Sequence, residues 1–271
     1  MDIIIVDTYE DMSKRAAAVI AEEIRNKPNT VLGLATGSTP IGTYRELVRL
    51  HQEEGLDFSS VITFNLDEYL GISMDMTKTP EQDQSYIRFM YEQLFKDVNI
   101  NMANVHVPNG LAPNPEAHCA WYEDEIEKAG GVDIQVLGIG GDGHWAFNEP
   151  GSSLTSRTRV EGLTQGTLDD NWEAFYKQAG GKREDMPHFA LTMGIGTILE
   201  SEHALMLANK KSKAKVMAAA LEGPVTSQIT ASAIQLHPGK VTTILEKEAA
   251  SGLKRADHYK HIQAMKEEYG M

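Results

Sequence analysis

The sequence predicts an α/β protein: a Rossmann-like open, mainly parallel sheet with helices on both faces. Three features predict it. Short, nearly continuous apolar runs recur at residues 3–6, 31–35, 61–66, 134–139, 204–208 and 241–245. Helical patterns lie between them, as at 116–128 and 214–222. Runs and helices alternate, which is the pattern of βαβ units. Runs without polar alternation suit strands buried on both faces of a parallel sheet.

The elements follow in order. The run at 3–6 leads into Thr8-x-x-Asp11, which has the form of a capping box, and Met12, Ala16, Ile20 and Ile24 then share one helical face. Asn26-Lys27-Pro28-Asn29 stops that helix. The run at 31–35 is followed by a Gly/Pro turn and a helical stretch through Tyr44, Leu47, Val48 and His51. No linker-like stretch divides the chain, so it reads as one unit over residues 1–271. Residues 163–187 are polar and short of core signals, and they read as a lid over a site or as a surface excursion. The tail at 251–271 is polar and weakly helical, with no function assigned to it.

Composition removes several classes of function. With 25 Lys and Arg against 39 Asp and Glu, the net charge is −14. So acidic a chain is unsuited to unspecific nucleic-acid binding or to an anionic membrane surface. A small anionic substrate needs only a local positive pocket and stays admissible. Cys119 is the single cysteine, which excludes a disulfide framework and a cysteine zinc site. No apolar run approaches the roughly 18 residues of a membrane span. The first residues lack a basic, then long apolar, signal segment. The expectation is a soluble cytoplasmic protein.

In open parallel sheets ligands bind beyond the carboxyl ends of the strands. Three such ends stand out. Thr36-Gly37-Ser38-Thr39-Pro40 opens a helix after the second run. Small residues let backbone N–H groups converge on an anion, and the hydroxyls add donors; an ordinary capped turn is the competing reading. Asp67 and Glu68 follow the third run, where partial burial would raise a carboxyl toward general-base use. Gly140-Gly141-Asp142-Gly143-His144 with Glu149 follows the fourth, placing a histidine between two acids in a glycine-rich loop. Gly138, Gly140 and Gly143 also satisfy G-x-G-x-x-G, but Asn148-Glu149-Pro150-Gly151 interrupts any helix there, so dinucleotide binding is not expected. Lys210, Lys211, Lys213 and Lys215 crowd the start of the helix after the fifth run, where cations oppose the helix dipole; anion binding or a solvated basic face would account for them. No histidine–carboxylate spacing suggests a metal site.

Together these segments resemble the glucosamine-6-phosphate deaminase (isomerase) family. The resemblance rests on 34–40, on Phe64-Asn65-Leu66-Asp67-Glu68-Tyr69, on 140–144 with Ala146-Phe147-Asn148-Glu149-Pro150, on Ser156-Arg157-Thr158, on 190–194 and on Leu236-His237. It implies ring opening of an amino-sugar phosphate, aldose–ketose isomerisation through an enolamine, and release of ammonia and fructose 6-phosphate. It implies no redox cofactor and no metal. Asp67 would move the proton between carbons 2 and 1. His144 would open the ring, with Asp142 and Glu149 orienting it. Thr36, Gly37, Ser38, Thr39 and Lys213 would hold the phosphate. A homo-oligomer is implied, a hexamer among the possibilities.

Three positions depart from the family pattern. Glu173 stands where a phosphate-binding arginine is expected, and a carboxylate would repel phosphate. Lys177, Lys182 or Arg183 would have to substitute, or the substrate differs. Glu161 replaces a lysine of members activated by N-acetylglucosamine 6-phosphate, while Arg159 is kept; such activation is expected to be weak or absent. Trp145 replaces a small aliphatic residue beside His144, where it would reshape the sugar pocket. A different amino-sugar phosphate, 6-phosphogluconolactone hydrolysis or a non-catalytic sensor on the same fold are the alternatives.

Overall fold

The computed structural model describes residues 1–79, 83–173, 177 and 182–270. Seven strands form one wholly parallel sheet: β1 (Asp2–Val6), β2 (Val31–Leu34), β3 (Ile62–Asn65), β5 (Val105–His106), β6 (Ile134–Leu137), β9 (His203–Ala208) and β10 (Lys240–Glu246). Their order is β1-β10-β9-β6-β2-β3-β5. All residues of β2, β6 and β9 are buried, so both faces of the sheet centre are covered. The covering helices include α1 (Tyr9–Asn26), α2 (Ile41–Glu54), α4 (Pro115–Lys128) and α7 (Ala214–Glu222).

α1 starts as its sequence requires. Thr8 accepts from the Asp11 N–H at 3.1 Å, and Met12, Ala16, Ile20 and Ile24 all face the core. The tail forms α9 (Ala256–Tyr269), which lies along edge strand β1. There the Ile5 N–H donates to Gln263 Oε1 at 3.2 Å, and Lys266 pairs with Asp2. A helix over an edge strand blunts edge-to-edge association, so the tail has a structural use that its composition did not reveal.

A second, three-stranded antiparallel sheet was not expected. It consists of β4 (Asp67–Tyr69), β7 (Arg159–Gly162) and β8 (Phe189–Thr192), in the order β4-β8-β7. β4 is three polar residues long and β7 is only half-buried, so neither carries an apolar run. The sheet has a consequence for the site. Asp67 is not in a loop beyond a strand, as the sequence suggested. It opens β4, with only Leu66 between it and the end of β3, at the seam between the two sheets.

The chain order sets a crevice. From β2 it moves outward through β3 and β5, then returns to the other side of β2 as β6. The loops leaving the carboxyl ends of β2 and β6 therefore diverge, as at ligand-binding switch points of open α/β sheets. Among the described residues no helix is long and apolar enough to cross a membrane.

Candidate active site

A cavity of about 260 Å³ occupies that crevice. Its walls come from the loop after β2, from Asp67, from the glycine-rich loop after β6, from α5 (Gln165–Asn171) and from Lys213.

The loop after β2 is fixed from outside. The Tyr9 hydroxyl donates to the carbonyls of Ser38 (3.1 Å) and Thr39 (3.0 Å) and accepts from the Gly42 N–H (2.8 Å). Thr39 Oγ1 donates to buried Asn209, and Lys210 Nζ reaches Ser38 Oγ at 3.4 Å. Gly37 has φ +91°, a conformation that side chains resist. Pro40, not a serine or threonine, occupies the N-cap of α2, and no side chain caps the helix. The ordinary capped turn is thus not what forms. Thr36, Gly37, Ser38 and Thr39 all line the cavity.

Asp67 and Glu68 are neighbours on a strand and take different surroundings. Asp67 is 6% exposed and lines the cavity. Burial pushes its carboxyl up to about 7, while the nearby His144 pulls the other way. Glu68 accepts from the N–H groups of Tyr69, Tyr86 and Ile87 at 2.9–3.0 Å. It ties β4 to the first turn of α3 (Tyr86–Gln93), which presents Tyr86 to the cavity. Burial pushes Glu68 up to about 8, against the pull of those three donors.

The glycine-rich loop is a tight cradle for one imidazole. The Gly140 N–H donates to the His144 carbonyl at 2.9 Å, and the His144 N–H to Asp142 Oδ1 at 3.2 Å. A β-carbon on Gly140 would lie 2.4–2.6 Å from three atoms of the His144 ring. Gly143 combines φ +95° with Ile229 packed against it. His144 Nδ1 stands 2.6 Å from Asp142 Oδ1, an ion-pair distance off the line of the ring N–H, and 3.9 Å from Glu149 Oε2. Asp142 is pushed up by burial, but its contact with His144 outweighs this and leaves it below the usual carboxylate range. Glu149 is buried and accepts from the N–H (3.0 Å) and hydroxyl (3.3 Å) of Thr164, the N-cap of α5.

Asp142, His144 and Glu149 form the group, found among the described residues, whose ligand atoms lie within 4.8 Å of one another. The sequence placed the histidine between these two acids, and the fold brings all three together. Thr164 already engages both oxygens of Glu149, and Asp142 faces the same ring nitrogen. The arrangement suits orientation of a proton-carrying imidazole better than an open metal site.

Lys213, just before α7, also lines the cavity. Burial pushes its ammonium down, opposed by Asp170 and Asp142. Of the four lysines noted in sequence, Lys213 alone lines the cavity; Lys210, Lys211 and Lys215 are exposed, with Lys210 reaching the cavity-lining Ser38. None of the suggested substitutes for an arginine lines the cavity. Lys177 pairs with exposed Glu173, Lys182 with Glu184 and Arg183 with Asp169. Trp145 does not reshape the pocket either. It is fully buried in the main core, its backbone N–H donating to Thr230 Oγ1. Sequence reasoning missed Tyr86, Thr167, Asp170 and Asn171. The last three recur at i, i+3 and i+4, so recognising α5 would have found them. Residues 174–176 and 178–181 of the lid-like segment lie outside the described residues.

The profile of the family described as glucosamine-6-phosphate isomerases/6-phosphogluconolactonase matches residues 6–244. The chain belongs to this family. Over 251 residues it is 47% identical to a glucosamine-6-phosphate deaminase of Thermoanaerobacter pseudethanolicus, covering 93% of this chain and 94% of that one. It is 46% identical over 257 residues to glucosamine-6-phosphate deaminase 2 of Bacillus subtilis, covering 94% and 99%. A solved structure of a monomeric glucosamine-6-phosphate deaminase superposes with a TM-score of 0.86 at 43% identity, covering 93% of this chain and all of that one. The family match extends over the strand ends that build the cavity, from the loop after β2 to Lys213.

Proposed function

We propose that the protein isomerises and deaminates glucosamine 6-phosphate, taking up water and releasing fructose 6-phosphate and ammonia. One observation carries this reading: a buried carboxylate, Asp67, shares a cavity with an acid-flanked imidazole, His144, and with an anion cradle at 36–39 and Lys213. In this reading His144 moves the proton that opens the ring, steered by Asp142 and Glu149. Asp67 takes the proton from carbon 2 and delivers it to carbon 1. The loop after β2 and Lys213 receive the phosphate. Hydrolysis of 6-phosphogluconolactone, also named in the family description, needs no base for a carbon acid, and a buried Asp67 would then be unused. Incubation with glucosamine 6-phosphate should yield ammonia and fructose 6-phosphate in equal amounts. Absence of both at saturating substrate would remove the proposal, and galactosamine 6-phosphate run in parallel reports the sugar preference.

The base must be ionised to act. With Asp67 held up at about 7, kcat/KM should climb through an acidic limb near that pH rather than near 4. A limb in the ordinary carboxylate range would contradict the assignment.

Two further parts of the reading concern assembly and regulation. The resemblance implies a homo-oligomer, whereas the solved relative above is described as monomeric. All the proposed groups belong to one chain, so the reading needs no second subunit. Glu161 pairs with Arg159, which also donates to Asn148 and Ser152. An arginine already held by an internal carboxylate is poorly placed to receive a second phosphate, which supports weak or absent activation by N-acetylglucosamine 6-phosphate.

A further inference from the structure

The anion-binding end of the cavity carries a carboxylate that the proposed chemistry leaves unused. Asp170 lines the cavity from α5, on the same helical face as Thr167 and Asn171. Its Oδ2 would stand 3.4 Å from a β-carbon built on Gly141, so the carboxylate reaches over the glycine-rich loop. Lys213 lines the same cavity. Among the described lining residues Lys213 is the only lysine, and there is no arginine. Lys210, outside the lining, reaches Ser38 Oγ at 3.4 Å.

We propose that Asp170 is a specificity-determining residue: sharing one cavity with Lys213, it offsets that lysine's charge, so this end of the cavity takes a phosphate monoester as its protonated monoanion in preference to the dianion. The inference rests on the reading that the sugar's phosphate binds here. A dianion entering a cavity lined by one lysine and this carboxylate meets repulsion that offsets the lysine's attraction. A monoanion is repelled less and can donate its O–H to the Asp170 carboxylate, a short charge-assisted hydrogen bond. The second ionisation of a phosphate monoester falls at about 6, so the choice is made within the working pH range.

Other charged groups lie around the cavity that Asp170 lines. Lys213, just before α7, His144, in the loop after β6, and Asp67, on β4, line it too; Asp142 sits 2.6 Å from the His144 ring, and Arg183, ahead of β8, pairs with the adjacent Asp169. All of them are present in wild type and variant alike, so comparing the two isolates residue 170. The probes are sulfate, a dianion throughout, and methyl phosphate, titrated by calorimetry into the full chain and into Asp170→Asn and Asp170→Ala. Asp170 is exposed, and neither change disturbs the core.

Both variants should bind sulfate about tenfold more tightly than wild type, equivalent to about 1.4 kcal/mol. Wild type should prefer methyl phosphate at about pH 5 over about pH 8, and the variants should lose most of that preference. Unchanged sulfate affinity in both variants would overturn the inference, whatever the turnover. Tighter sulfate binding without turnover of glucosamine 6-phosphate would leave it standing and remove the proposed substrate instead.

Discussion

Asp67→Asn should lose at least about a thousandfold in kcat while binding the sugar phosphate nearly as well as wild type, since general-base catalysis contributes roughly 10²–10⁴. The amide keeps the size of the carboxylate but cannot take a proton from carbon 2. A second reading separates this loss from misfolding. The folded state holds Asp67 at about 7, above its unfolded value, because burial penalises the charge. Folding therefore favours the protonated form, and stability is lost as pH rises from the usual carboxylate range through about 7. Asparagine carries no such penalty. The variant should melt higher than wild type above that pH, by an amount worth on the order of a few kcal/mol, and should differ little at about pH 4. Kinetics and thermal melts across pH check both parts. Normal turnover, or a lower melting point above neutrality, would contradict them.

Gly140→Ala should cost about a hundredfold or more in kcat with little loss of fold. The new methyl would meet the His144 ring at 2.4–2.6 Å, closer than real β-carbons approach anything. The imidazole is a single rigid side chain at a cavity wall, so it would swing away rather than unfold the sheet. It would then leave Asp142, now 2.6 Å from Nδ1, and lose the partner that orients it. The histidine would remain in the sequence but out of position. Steady-state kinetics with a melting curve tests this, and a variant with wild-type kcat would show that the cradle is not needed.

The main sheet was legible because buried parallel strands leave an unbroken apolar signature. The runs at 31–35, 134–139 and 204–208 became β2, β6 and β9, each buried throughout. The strand-end rule then led to Thr36–Thr39, Asp67, Asp142, His144 and Glu149, which the fold gathers around one crevice. The second sheet was not legible. β4 reads Asp-Glu-Tyr, and its burial depends on β8 and on α3 rather than on its own polarity. For the same reason strand-end position alone could not separate Asp67 from Glu68; the family resemblance did. Only tertiary contacts show that Glu68 is committed to three backbone N–H groups. Trp145 was misjudged because adjacency to His144 in sequence says nothing of direction. Ala146, with φ +50°, marks the sharp turn of the chain there, while the indole sits in the core. The role of Asp170 was hidden for want of α5, whose polar sequence gives no apolar periodicity.

Converging action of Asp67 and His144 on one hexose is tested most directly by following the hydrogen on carbon 2. Glucosamine 6-phosphate bearing deuterium at that carbon is incubated with the protein, and the products are read by NMR and mass spectrometry. Ammonia should appear with fructose 6-phosphate, and the label should be found at carbon 1 or in the water. Ammonia released with an aldose that keeps its deuterium on carbon 2 would contradict the account.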